Sequence, residues 1–305
     1  MQLTDYVNTL GSYLKEKFGE SIHKLPLEGG FSCPNRDGRL GRGGCTFCNA
    51  HSFLPSSPKS IEEQLIKNRV SKSKKYLAYF QAYTSTYAEF AVLKELYYKA
   101  INSVGIVGLC VGTRPDCVSD EVLDLLKEIS DKGYEVWLEL GLQSAFDETL
   151  KAINRHHTFN DYCETVKRAK ARNIKVCTHL IIGLPNETLL HNLTTLELVI
   201  NEGVDALKLH QLHIVEGAIM AKQYQMGKIQ VLELDEYAQI AAKLIQYTPK
   251  EILYERVSAS VMDDSLIAPM WSKNRWPPIN AIVKILDETG SQGSLIGDPY
   301  KISIK

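Results

Sequence analysis

Short apolar runs alternate with amphipathic segments over most of this 305-residue chain. Six runs read as strands: Lys24–Leu27, Tyr76–Gln81, Ile106–Val111, Val136–Leu140, Val176–Ile182 and Ala206–His210. Most are continuously apolar, as parallel strands covered on both faces are. The segments between them carry helix signals. Ser60 with Glu63 three residues on makes a capping box, Asn186 stands before Glu187 as an N-cap, and Val122, Leu125, Leu126 and Ile129 keep the helical period after Ser119. Strand–helix alternation of this kind is the mark of βα units, so the expected class is α/β, a partial (β/α)6 TIM-like barrel. From about Met220 the alternation weakens. Residues 1–219 are expected to form the barrel, and residues 220–305, with Trp271, Arg275, Trp276 and Pro277–Pro278, a small C-terminal extension packed on it. Roughly 85 residues are few for a separate core.

The chain is 44% apolar, which allows a sizeable core, and it has no run of about eighteen apolar residues that would span a membrane. Its start, MQLTDYVNTLGSYLKEKFGE, lacks the basic head, apolar run and small-residue cleavage site of a secretion signal, so a cytoplasmic location is expected. Thirty-five basic residues against thirty-six acidic ones give a net charge of −1, which neither predicts nor excludes a polyanionic partner. Seven cysteines without an export signal argue for metal binding or buried thiols rather than disulfides.

Three of them fall in one glycine-rich loop directly after the first strand, as Cys33-x11-Cys45-x2-Cys48. An iron–sulfur cluster on three cysteines keeps one iron free of protein ligands, the open position a reactive cofactor requires. The alternative is structural zinc on Cys33, Cys45, Cys48 and His51. A loop at the active-site face of a βα barrel favours the cluster, because structural zinc more often staples small domains. Cys110, Cys117, Cys163 and Cys177 have no CxxC spacing and read as buried thiols.

The cysteine loop is followed by Thr113-Arg114-Pro115-Asp116, ELGLQS (Glu139 to Ser144), INRHH (Ile153 to His157) and IIGLP (Ile181 to Pro185). In that order, at the ends of successive strands, these motifs resemble those of radical S-adenosylmethionine (SAM) enzymes. The pattern is most similar to the elongator-like branch and, within it, to the small family called YhcC or YtqA, over nearly the whole chain. The resemblance implies a radical SAM barrel with a [4Fe–4S] cluster on Cys33, Cys45 and Cys48. It also implies SAM on the open iron, reductive cleavage to a 5′-deoxyadenosyl radical, and an electron donor such as flavodoxin or ferredoxin. Gln143 and Arg155 stand where relatives such as the oxygen-independent coproporphyrinogen oxidase contact SAM. His179 replaces an aspartate that contacts ribose in those relatives, so it is either a hydroxyl contact or a core histidine. The YFQAYTST segment stands in place of a glycine-rich turn that receives the methionine amino group, making Gln81, Thr84 and Ser85 the substitutes. Glu139 is a candidate acid/base or SAM hydroxyl contact, with a salt bridge to Arg114 as its alternative. Lys208, His210 and His213 either face the same mouth or form an internal ion pair and core histidines.

The same branch acts at C5 of the tRNA wobble uridine, which makes tRNA the first expected substrate. Two basic runs could hold phosphates: Lys67, Arg69, Lys72, Lys74 and Lys75, and Lys167, Arg168, Lys170 and Arg172. Taken separately, each reads first as a solvated helix face. Trp271, Arg275 and Trp276 are candidates to stack on an extruded base or to pack the tail. The tail is too short for the acetyltransferase domain of Elongator's catalytic subunit. An unidentified small molecule is the second enzymatic reading, and a non-catalytic iron–sulfur or zinc protein that binds nucleic acid is the third.

Overall fold

The computed structural model describes residues 1–48, 60–69, 74–261 and 264–298. Its elements run α1 (Leu10–Phe18), β1 (His23–Leu27), α2 (Ile61–Asn68), β2 (Tyr76–Phe80), α3 (Phe90–Ile101), β3 (Ile106–Thr113), α4 (Asp120–Asp131) and β4 (Glu135–Gln143). There follow α5 (Asp147–Ala152), α6 (Phe159–Lys170), β5 (Lys175–Ile182), α7 (Leu189–Asn201), β6 (Ala206–Gln211), β7 (Ile214–Val215) and α8 (Ile219–Gln225). The chain ends with α9 (Leu234–Tyr247), β8 (Leu253–Arg256), β9 (Leu266–Ala268) and α10 (Trp276–Thr289).

The sheet has seven parallel strands in the order β1-β2-β3-β4-β5-β6-β8, curled into a half-barrel, with β7 and β9 as a separate antiparallel pair. All six expected strands are present, and a seventh comes from the C-terminal segment. β8 pairs with β6 through Ala206–Leu253 and Leu207–Tyr254, and α9 and α10 join the same apolar core as the barrel helices. The tail therefore extends the sheet as well as packing on it.

Caps are local and read correctly where the motif is short-range. Ser60 with Glu63 caps α2 as expected, and Ser119, just before the residues that keep the helical period, caps α4. α7, however, is capped by Thr188, boxed with His191, while Asn186 sits in the preceding turn at φ +66°. Asparagine tolerates that left-handed conformation, so it serves the turn rather than the helix.

Alternating strand positions divide the interior. Outward side chains such as Phe80, Leu109, Val111, Leu138, Leu140, Ile182 and Leu209 meet the helices in the main core, each worth about 1.5–3 kcal/mol on burial. Inward ones form layers. Leu77, Cys110, Trp137, Cys177 and Ala206 pack with Leu10 and Leu14 of α1, which plugs the N-terminal end of the barrel. One step toward the C-terminal ends of the strands the inward residues become charged, and there the site begins.

Candidate active site

The loop after β1 turns back on itself through backbone hydrogen bonds from Arg36 and Asp37 to the Cys33 carbonyl and from Cys48 to the Cys45 carbonyl. It is docked on the turn after α5. Thr46 N–H donates to Ile153 O (3.1 Å), Asn154 Nδ2 to Gly44 O (2.7 Å), and Asn35 Nδ2 to Asn154 O (2.7 Å). The two motifs, distant in sequence, thus form one rigid rim. Side chains from both reach cysteine sulfurs: Arg36 Nη2 lies 3.2 Å from Cys48 Sγ, and Asn35 Nδ2 and Arg155 Nη1 each lie 3.4 Å from Cys45 Sγ. Burial pushes the Cys48 thiol up, and the Arg36 guanidinium opposes this.

Beside the rim, at the C-terminal ends of the strands, lies a cavity of about 360 Å³. Cys33, Cys45 and Cys48 line it together with Gln81, Gln143, Arg155 and His179. Gln143 is placed there by a register shift between β4 and β5, with its own backbone at φ +81°. Such an irregularity re-aims a side chain at a strand end. Gly141 makes the close approach possible, because a Cβ there would come 2.9 Å from Gln143 Nε2 and 3.3 Å from Arg155 Nη2. Arg155 is held on three sides, by His157 Nε2 (3.1 Å), Cys45 Sγ and the Gly141 carbonyl, and each of its terminal nitrogens keeps a second N–H. Arg114 is bound bidentately by Asp116 and not by Glu139, and its Nη1 is buried without a partner at the cavity wall. Thr84 Oγ1 is equally unpartnered there, whereas Ser85 turns its hydroxyl to the Ala82 carbonyl. His210 and His213 also face the cavity, ring to ring at 4.6 Å. Burial, then His213 and Arg256, hold His210 well below the usual imidazole range, and burial with Arg256 brings His213 down to about 4.

The cavity floor is a layer of charges. Glu139 is fully buried, with Oε1 accepting from Lys24 (2.5 Å) and Oε2 from Tyr79 (2.8 Å), His179 (2.8 Å) and Lys208 (3.0 Å). Glu255 of β8 completes the layer, 2.7 Å from both Lys24 and Lys208. Burial pushes the Glu139 carboxyl up, but Lys208 and Lys24 outweigh it and hold the group well below the usual carboxylate range. His179 is lowered by burial and then by Lys208, so it is a neutral imidazole against Glu139. Glu139 itself is not a cavity-lining side chain, since its oxygens are occupied from four sides; Tyr79, His179 and Lys208 are the members that face the cavity.

The Radical SAM superfamily model matches residues 36–199, more than half of the chain, and the Radical_SAM C-terminal domain matches residues 204–288. The chain belongs to the radical SAM superfamily. With the family come its cofactors, a [4Fe–4S] cluster and SAM. Protein YhcC of Escherichia coli (strain K12) is 53% identical over 304 residues, covering 98% of each chain. YtqA of Bacillus subtilis (strain 168) is 40% identical over 292 residues, covering 93% of this chain and 90% of that one. A weaker likeness, 25% identity over 159 residues, links the chain to the tRNA uridine(34) acetyltransferase of Methanocaldococcus infernus, over 51% of this chain and 29% of that protein. The solved structure of the Methanocaldococcus infernus Elp3 shares the fold, with a TM-score of 0.62 at 15% identity, over 88% of this chain and 63% of that one.

The radical SAM cofactors fit the residues present. Among the described residues, the group of three metal-ligating side chains with all ligand atoms within 4.8 Å of one another is Cys177, His179 and Glu255; the sulfurs of Cys33, Cys45 and Cys48 do not all fall within that distance of one another. Sulfurs of tetrahedral zinc sit only ~3.8 Å apart, given Zn–S bonds of about 2.3 Å. The wider triad suits a cluster, and His51, the fourth zinc candidate, lies outside the described residues. The Cys177 group does not suit a cation, because Lys24 and Lys208 already neutralise Glu255 and burial drives the Cys177 thiol well up. Cys110 is likewise a fully buried thiol, whereas Cys117 and Cys163, also expected to be buried, are only half-buried.

Sequence reasoning missed the residues that hold the others in place. Lys24, Tyr79 and Glu255 were unassigned, as were the sulfur contacts of Asn35 and Arg36. The available signal was a charge at an alternating position in an apolar strand, as at Lys24 and Lys208. Of the basic runs, Arg168, Lys170 and Arg172 are paired with Asp120, Asp205 and Asp124. In the other run Lys75 pairs with Glu20, and Lys72 lies outside the described residues. Trp271 packs on Tyr237 and donates to the Leu232 carbonyl, which makes it a packing residue; Trp276 is exposed with Arg275 over its ring.

Proposed function

We propose that this radical SAM enzyme cleaves SAM reductively and applies the resulting radical to the side chain of a tRNA wobble uridine. The observation that carries the first part is the convergence of Cys33, Cys45, Cys48, Gln143 and Arg155 on one cavity at the C-terminal ends of the strands. When bound, the cluster and SAM supply a 5′-deoxyadenosyl radical that abstracts a hydrogen atom from a substrate carbon. The chain's own residues bind and orient. The cavity wall includes Arg36, Arg114, Arg155 and Lys208 and, among the described residues, no carboxylate. That wall suits the methionine carboxylate, with Arg155 and the free Nη1 of Arg114 as donors and Gln143 able to donate and accept. Thr84 and Gln81 are the polar groups for the amino end. His179, backed by Glu139, is the candidate for a SAM hydroxyl. An electron donor such as flavodoxin or ferredoxin would complete the reaction.

The tRNA reading is supported by the likeness to the tRNA uridine(34) acetyltransferase, which spans about half of this chain and under a third of that protein. Acetyl transfer is therefore not carried over.

Anaerobically reconstituted protein should hold about four irons and, once reduced, convert SAM to 5′-deoxyadenosine and methionine. Alanine at Cys33, Cys45 or Cys48 should abolish both, and stoichiometric zinc without iron uptake would sink the reading. For the substrate, the test is nucleoside mass spectrometry of tRNA from a strain lacking this chain and any second copy. An altered wobble-uridine side chain is expected; an unchanged profile would leave a small molecule as the substrate.

A further inference from the structure

Arg36 lies three residues after the first loop cysteine and lines the cavity, but its guanidinium is directed at the loop, and the SAM contacts proposed above fall to Arg155, Arg114 and Gln143. Its Nη2 donates to Cys48 Sγ at 3.2 Å and to the Cys48 carbonyl at 3.1 Å, while its backbone N–H donates to the Cys33 carbonyl at 2.8 Å. One residue thus ties the first cysteine of the loop to the last. The loop is shaped around the guanidinium. Gly44 adopts φ +82°, and a Cβ there would stand 2.9 Å from Arg36 Nε and 3.0 Å from its Cζ and Nη2. That is closer than real Cβ contacts come, and the far atoms of Arg36 are pinned by Cys48, so a side chain at 44 and this arginine pose exclude each other. Arg36 has no carboxylate partner among the described residues, so its charge is directed at sulfur rather than neutralised.

Hydrogen bonds and positive charge at cysteine sulfur act on the two oxidation states unequally. The reduced cluster carries one more negative charge than the oxidised one, and a fixed cation a few ångströms away stabilises the more negative state more. Cys45 has a comparable pair of donors in Asn35 and Arg155, whereas Cys33 has no side-chain donor on its sulfur among the described residues.

From this geometry we infer that Arg36 is a redox-tuning residue, raising the reduction potential of the cluster through its hydrogen bond and charge at the Cys48 sulfur. The inference rests on the assignment of the cluster to Cys33, Cys45 and Cys48. Raising the potential makes the cluster easier to reduce for a physiological one-electron donor.

The experiment is an EPR-monitored redox titration, without SAM, of anaerobically reconstituted wild-type protein, Arg36→Lys, Arg36→Gln and Arg36→Ala, each with its iron content measured. Iron is expected to stay at about four per chain, and the midpoint potential to move to more negative values, least for lysine, which keeps the charge, and more for glutamine and alanine. Wild-type potentials in iron-replete variants would overturn the inference, as would a shift to more positive values. If Arg36→Ala loses iron, the lysine and glutamine variants carry the test; loss of iron in all three overturns the inference and makes Arg36 an assembly residue. A change in SAM affinity with an unchanged SAM-free potential also overturns it and moves Arg36 to the ligand site. Cys48→Ala separates the two readings. If it keeps its iron, the cluster assignment itself fails; if it loses iron while the Arg36 variants keep the wild-type potential, only the tuning role fails.

Discussion

A carboxylate with no exposed surface, such as Glu139, persists in its charged form only because four donors surround it. Removing it strands Lys24 and Lys208 with Glu255 alone between them. Glu139→Ala should therefore lose about 3–5 kcal/mol of stability, read as a lower denaturant midpoint; a loss under about 1 kcal/mol would mean that water enters the layer readily. The motif residues behave differently. Arg155 and Gln143 line the cavity, and losing a charge-assisted hydrogen bond worth roughly 1.5–3 kcal/mol should weaken SAM binding about tenfold to a hundredfold. Titrations of Arg155→Ala and Gln143→Ala with SAM check this, and unchanged affinity in both would show the site to lie elsewhere. These two were legible because each sits in a recognisable string. Arg36 was not, because a single arginine in a loop has no pattern, and only its distance to sulfur gives it a role.

Six of the seven sheet strands were legible as apolar runs between helix signals, and β8 was not. Its sequence, Leu253 to Arg256, is four residues long and half charged, which reads as surface. The charge is there because Glu255 points inward to Lys24 and Lys208, and Tyr254 points outward into the helix-covered core. An isolated β-bridge from Thr9, the N-cap of α1, to Tyr254 ties the start of the chain to this strand. The continuity of sheet and core across residue 220 predicts one cooperative unfolding transition, with signals from Trp137 in the barrel and Trp271 in the tail moving together. Two separated transitions would show that the tail unfolds apart from the barrel. Tyr254→Ala should cost about 3–5 kcal/mol, the usual cost of removing a large buried aromatic.

Four histidines are held below their ordinary pKa of 6.5: His157 at about 2 by burial and Arg155, His213 at about 4 by burial and Arg256, and His179 and His210 by burial with neighbouring positive groups. A depressed folded pKa means that the unfolded chain binds these protons first as the pH falls. Stability from these groups is therefore present above about 6.5 and lost below it. Each proton that the unfolded chain takes up and the native chain does not adds to the fall, so stability drops as the pH goes below about 6.5. Glu139 and Glu255, whose folded pKa values are also lowered, add to the loss below their ordinary value of 4.5. Urea midpoints should thus fall steeply from pH 7 to pH 5, and a flat profile would show that these histidines are protonated in the native protein. Among the described residues no helix is long and apolar enough to cross a membrane.

The strand–helix alternation, the cysteine loop and the motif strings are written in the amino-acid order alone, because periodicity, caps and CxxC spacing are local properties that a short window contains. Which charged residues meet depends on the folded chain. Lys24, Tyr79, Glu139, His179, Lys208 and Glu255 come from six different strands, and their pairing depends on the register of each strand against the next. A slip of one residue at any of these pairings would turn a member from the barrel interior to the helix face. The same holds for Arg155, which approaches Cys45 only because the turn after α5 docks on a loop more than a hundred residues earlier. Distance along the chain hides such contacts, and curling the sheet creates them.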